Sequence, residues 1–181
     1  MGTGANPLRK PGRLCHTPTD LSAAWPHGGT GLGNVTAAKL YVQTTGSRVV
    51  VAEEFGEVVE TIKGGRSVWL AVSLRDWDAD SLALVWSKTA GSISGNPLLS
   101  IPAAPRAGRL GSSDAKKILW TPRDQTNGVA VLLYAAIPEL DEELVVRFSV
   151  FSEMMQAVVF RAIRNSSDNI AQIGTLADFT L

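Results

Sequence analysis

At 181 residues the chain has the length of a single domain with room for a sizeable core. Its residues are 45% hydrophobic and only 19% charged, below the roughly 25% usual for soluble domains, so few charges are available to cover a monomer's surface and burial in an assembly is favoured. Lys+Arg and Asp+Glu both count 17, a net charge of zero; that balance argues against tight binding of nucleic acid, which calls for a basic excess, and suits self-association.

Residues 1–34 stand apart from the rest. They contain Pro7, Pro11, Pro18 and Pro26 and the glycines at 2, 4, 12, 28, 29, 31 and 33, a composition that disfavours helix and ladder alike. Leu8, Leu14, Leu21, Trp25 and Leu32 punctuate the stretch. Apolar anchors on an irregular chain predict an extended N-terminal arm laid across a surface, with Leu14, Leu21, Trp25 and Leu32 as assembly contacts.

From residue 35 to 181 the chain reads as one β-rich domain. Strands are predicted over Val35–Thr44 and Arg48–Phe55, joined by the turn Thr45-Gly46-Ser47. Val58–Ile62 follows, then the turn Gly64-Gly65, then Ser67–Arg75 with Val68, Leu70, Val72 and Leu74 on one face at period two. Asp76, Asp78 and Asp80 offer an N-cap and first-turn negative charge to a helix over 76–88, whose Ala79, Leu82, Ala83 and Trp86 recur at helical spacing. Three aspartates at alternate positions also resemble a calcium loop, but the glycine and distal glutamate of such a loop are missing.

Residues 89–114, rich in Gly, Ser and Pro, read as a long loop or extended hairpin, a length that is usually functional within a domain. Leu98, Leu99, Ile101 and Pro102 give it an apolar tip suited to protein contacts. Further strands are predicted at Ile118–Thr121, Gly128–Ile137, Leu144–Phe151, Gln156–Ile163 and Ile170–Leu176. The fold expected is mainly β: an antiparallel sandwich or barrel with one flanking α-helix, a long N-terminal arm and one long loop.

Residues of chemical interest are sparse. Cys15 is the only cysteine, which rules out an intrachain disulfide or a thiolate metal cluster. Its neighbour His16 invites a nucleophile reading, but adjacent side chains of an extended segment point apart. The glycines of His27-Gly28-Gly29-Thr30-Gly31-Leu32-Gly33 follow no predicted strand and open no helix, so they read as turn chemistry rather than a dinucleotide site. Glu53-Glu54 and Asp141-Glu142-Glu143 would support sugar hydrolysis only if folding brought them to one cleft. No nucleophile elbow or zinc-type histidine spacing is present, and no run approaches a membrane span. The expectation is a non-enzymatic chain without cofactor or metal, made in a reducing cytoplasm.

The segment Pro18-Thr19-Asp20-Leu21 through Trp25-Pro26-His27-Gly28-Gly29-Thr30-Gly31-Leu32-Gly33 resembles the opening of structural proteins of tailed bacteriophages. Ala52-Glu53-Glu54-Phe55-Gly56, Leu74-Arg75-Asp76-Trp77-Asp78-Ala79-Asp80-Ser81-Leu82 and the closing Ile173-Gly174-Thr175-Leu176-Ala177-Asp178-Phe179-Thr180-Leu181 are similar to the same group. Within it the chain looks most like a tail tube protein. That resemblance implies two packed antiparallel sheets, a flanking helix, an arm and a loop, and homohexameric rings stacked into a virion tail tube through which DNA passes. Its partners would be copies of itself and other virion proteins, with only transient, non-specific contact with DNA and none with membrane. The arm is longer and richer in proline than a tube subunit requires, which leaves open a head-completion, tail-terminator or capsid-decoration protein. A carbohydrate- or ligand-binding β-sandwich is the alternative of another class, and it requires aromatic residues grouped on one exposed face.

Overall fold

A computed structural model describes residues 11–44, 47–51, 58–63, 65–75, 89–93, 96–100, 115–123, 128–139, 156–164 and 169–181, with backbone alone for 47–51, 58–63, 89–93, 96–100 and 156. Eleven strands run through them: β1 Gly12–His16, β2 Thr30–Thr44, β3 Ser47–Val51, β4 Val58–Lys63, β5 Arg66–Leu74, β6 Thr89–Ile93, β7 Asn96–Ser100, β8 Lys116–Pro122, β9 Ala130–Glu139, β10 Gln156–Ala162 and β11 Ala171–Gly174. The protein is mainly β.

Six strands close on themselves in the order β10-β5-β2-β1-β8-β9, with every neighbouring pair antiparallel and the β9–β10 pairing completing the circuit. Closure removes the free edges that an open sheet would present. The seventh strand of the sheet, β11, extends it from β9: residues 136–139 of β9 pair with β10, while residues 130–133 pair with β11. Two separate hairpins, β3–β4 and β6–β7, complete the described strands.

Alternation places the core. In β5 Val68, Leu70, Val72 and Leu74 are buried, and the residues between them are half-buried or, at Arg66, exposed. Across the wall, Leu40 faces Leu70, Leu70 faces Phe160 and Phe160 faces Pro138. Leu14, Leu32, Val35, Ile118, Trp120, Val131, Leu133 and Val158 fill the remainder of the interior, a filled core rather than a pore. The alternate residues of β1, β8 and β9 build a second cluster from Cys15, Leu119, Ala130 and Leu132. It is covered by Phe179 near the C-terminal end, with Leu21, Tyr134 and Leu176 packed at its margin.

One expectation needs correction. Residues 12–16, assigned to an arm unfit for ladder pairing, form β1, which is bonded to β2 on one side and β8 on the other. β2 likewise starts at Thr30, inside the stretch expected to be irregular. The reason lies in where the breakers fall: Arg13, Leu14, Cys15 and His16 form an uninterrupted run between Gly12 and Thr17, and Gly12 sits where only a glycine fits. A Cβ there would lie 2.5 Å from both the Thr121 carbonyl oxygen and Trp120 Nε1. Proline and glycine flank that run, at Pro11 and Gly12 before it and at Pro18, Pro26, Gly28 and Gly29 in the turn-rich connection after it.

The strands predicted at 35–44, 58–62, 67–75, 118–121, 128–137 and 156–163 correspond to β2, β4, β5, β8, β9 and β10, and the short final strand to β11. Of the two readings of 89–114, a long loop or an extended hairpin, the paired strands β6 and β7 favour the hairpin. The predicted helix at 76–88 and strand at Leu144–Phe151 lie outside the described residues.

Candidate interaction surface

The connection 17–29 is organised around His27, which is 1% exposed. Its Nδ1 lies 2.9 Å from the Ala23 carbonyl oxygen, which can only accept, so Nδ1 carries the proton. The His27 backbone N–H donates to Ala24, and its carbonyl accepts from the N–H groups of Thr19 and Asp20. His27 and Gly28 both take positive φ, 61° and 68°, tightening the turn; glycine accepts that conformation without steric cost. Asp20 accepts hydrogen bonds from the Ser22 hydroxyl at 2.6 Å and the Ser22 backbone N–H at 2.9 Å. These two bonds hold the Asp20 carboxyl below its ordinary range.

Beside this turn, Trp25 lies over the Arg13 guanidinium, 5.3 Å from the ring centroid. Gly31 leaves the space the indole occupies, since a Cβ there would come within 2.3 Å of the ring. The residues expected to make assembly contacts therefore divide. Leu14 and Leu32 are fully buried in the barrel and serve their own subunit's core. Leu21 packs on the second cluster and Trp25 on β1 and β2. Leu98 and Leu99 fall in β7, described by backbone alone, and Ile101 lies outside the described residues.

Cys15 is buried in the second cluster, and burial pushes its thiol up to about 12, so it remains protonated and unreactive. Among the described residues no group of three or more His, Cys, Asp or Glu could hold a metal ion. Among them, too, no helix is long and apolar enough to cross a membrane. Glu53, Glu54 and Asp141–Glu143 lie outside the described residues.

Depressions on the surface of the described residues include the following two. A cleft of about 320 Å³ is lined by Pro11, Gly12, Asn34, Val35, Thr36, Arg75 and Arg123. A wider groove of about 580 Å³ lies between the 19–22 turn and the C-terminal segment, with Leu21, Leu176, Phe179 and Leu181 as its apolar lining.

Exposed large hydrophobic residues among the described ones are Tyr41, Val42, Ile173 and Leu181. They fall into two groups: Tyr41 and Val42 on the far half of β2, Ile173 and Leu181 on β11 and the segment after it. Tyr41 stacks on Trp69 of β5, with centroids 5.6 Å apart and planes at 18°. Nearby on the same wall Arg161 and Glu139 form an exposed ion pair at 2.8 Å, of a kind that adds little stability. Sequence reading had no signal for these two groups, because a closed barrel makes strand position, not strand composition, decide which hydrophobic residues stay outside.

The chain matches no protein-family model and has no significant match among curated proteins.

Proposed function

We propose that the protein is a non-enzymatic virion structural subunit that assembles with copies of itself, as stacked hexameric rings of a phage tail tube. The observation that carries this reading is the strand β11: it stands at the end of the sheet order, its outer edge pairs with no described strand, and its Ile173 is exposed. An unpaired edge bearing an apolar side chain is a template for another chain. The similarity of residues 18–33, 52–56, 74–82 and 173–181 to phage structural proteins supplies the kind of assembly, and the low charged fraction supports it.

Head-completion, tail-terminator and capsid-decoration proteins are variants of the same reading with a different position in the virion. A ligand-binding β domain is favoured by one observation, the stacked Tyr41–Trp69 pair on the outer wall. Light scattering on the purified chain separates the classes: particles much larger than 19.2 kDa support the assembling subunit, and a concentration-independent monomer supports the binding domain.

A further inference from the structure

The cleft of about 320 Å³ is built where four neighbouring strands, β5, β2, β1 and β8, bring their residues together. Arg75 follows the last residue of β5, and its backbone N–H donates to the Asn34 carbonyl of β2. Arg123 follows the last residue of β8, and its backbone N–H donates to the Pro11 carbonyl just before β1. The two arginines are therefore anchored on either side of β2 and β1, about 14 Å apart along the sheet by strand spacing. Both are exposed, and both line the one cleft with Asn34 between them.

The lining contains no acid. The acidic side chains that the structure describes are engaged elsewhere: Glu139 with Arg161, Asp20 with Ser22 and Asp178 with Thr175. Lys10, Asp76 and Asp124, which adjoin the lining residues in sequence, lie outside the described residues.

Two guanidiniums remain charged at any working pH, and they repel each other across a shared cleft unless an anion lies between them. Each offers five N–H donors in a planar fork that matches a phosphate or carboxylate, so a contact made on one side leaves donors for a ligand on the other. Asn34 adds an amide that donates without charge. Pro11 and Val35 give the rest of the cleft an apolar lining, and its volume falls within the range of small-molecule sites.

The geometry points to an oxyanion site that takes a phosphate dianion, free or as the terminal group of a small molecule, gripped by Arg75 and Arg123. A dianion matches the two guanidinium charges. A phosphodiester brings one charge per group and is the poorer ligand, in keeping with a chain of zero net charge. The site is independent of the assembly reading and stands or falls on small-ligand binding alone.

The test is calorimetric titration of the full-length protein with inorganic phosphate at constant ionic strength, at about pH 8, where phosphate is mostly dianionic. Saturable binding of one phosphate per chain is expected. Arg75→Gln and Arg123→Gln should each weaken it by roughly tenfold or more, as loss of a charged hydrogen-bond donor does. Lys116→Gln, at the other end of β8, should leave it unchanged. Circular dichroism checks the fold of each variant. Amide NMR of the wild-type chain gives a second reading, with phosphate-dependent shifts expected at Asn34, Val35, Arg75 and Arg123. Absence of saturable binding, as when a carboxylate of the chain already occupies both guanidiniums, overturns the inference. So does phosphate binding that survives both arginine substitutions, or shifts that bypass the cleft. Tighter binding of a single-stranded oligonucleotide without terminal phosphates would overturn the dianion site in favour of a phosphodiester one.

Discussion

Replacing Leu14 by Ala tests whether the first described strand belongs to the barrel or to a detachable arm. Leu14 is 0% exposed, lies in the strand bonded to both β2 and β8, and packs in the same cluster as Leu32, Val35 and Trp120. A fully enclosed leucine truncated to alanine loses its transfer free energy and leaves a cavity, together about 3–5 kcal/mol. A domain of this size shifts its melting temperature by about 2–4 °C per kcal/mol, so a fall of roughly 6–20 °C is expected. Urea denaturation should show a lower midpoint with an unchanged slope, because the surface exposed on unfolding is the same. A loss below about 1 kcal/mol would show that Leu14 contributes little to its own core and would refute the placement of β1.

Gly31→Ala should disturb the Trp25 ring that occupies the space beside Gly31, costing about 1–3 kcal/mol and changing tryptophan fluorescence. Cys15 should resist alkylation in the native protein and react only on unfolding. Because burial raises its pKa from 9.0 to about 12, the stability it contributes is full below pH 9 and is lost as pH rises toward 12; Cys15→Ala should flatten that part of the stability profile. Asp20 should titrate below an ordinary aspartate in carbonyl NMR, and Ser22→Ala should move it part of the way back upward, since the Ser22 hydroxyl bond is the largest of the causes that lower it and the backbone bonds remain. Replacing Leu98 and Leu99 together by Ser should block growth of the assembly without unfolding the monomer, measured by sedimentation and circular dichroism.

What the sequence made legible follows from strand periodicity. In β5 the inward residues recur at every second position, so both the strand and its buried face could be read directly. In β2 the strand could be read from residue 35 onward but its buried face could not: Leu32, Val35 and Ala38 are buried at spacings of three. Register shifts at Leu14/Cys15 in the β1 pairing and at Val35/Ala37 in the β5 pairing break the alternation, as bulges do by adding an unpaired residue. The Gly- and Pro-rich surroundings of β1 concealed it for a different reason. Five residues of moderate apolarity look unremarkable until β2 and β8 bracket them, because their pairing is with segments about 20 and about 100 residues away. Leu14 and Leu32 were recognised as apolar anchors, but whether an anchor serves its own chain or a neighbour's is a tertiary property. The apolar group on β11 was hidden likewise, since Ile173 is left outside only because β11 is an extra strand beyond barrel closure.

The central claim, that this chain works by packing against copies of itself, is tested most directly by negative-stain microscopy of the purified full-length protein across a concentration series. Self-assembly as proposed predicts rings of uniform diameter that stack into hollow tubes as concentration rises. Isolated particles of monomer size at every concentration would contradict it.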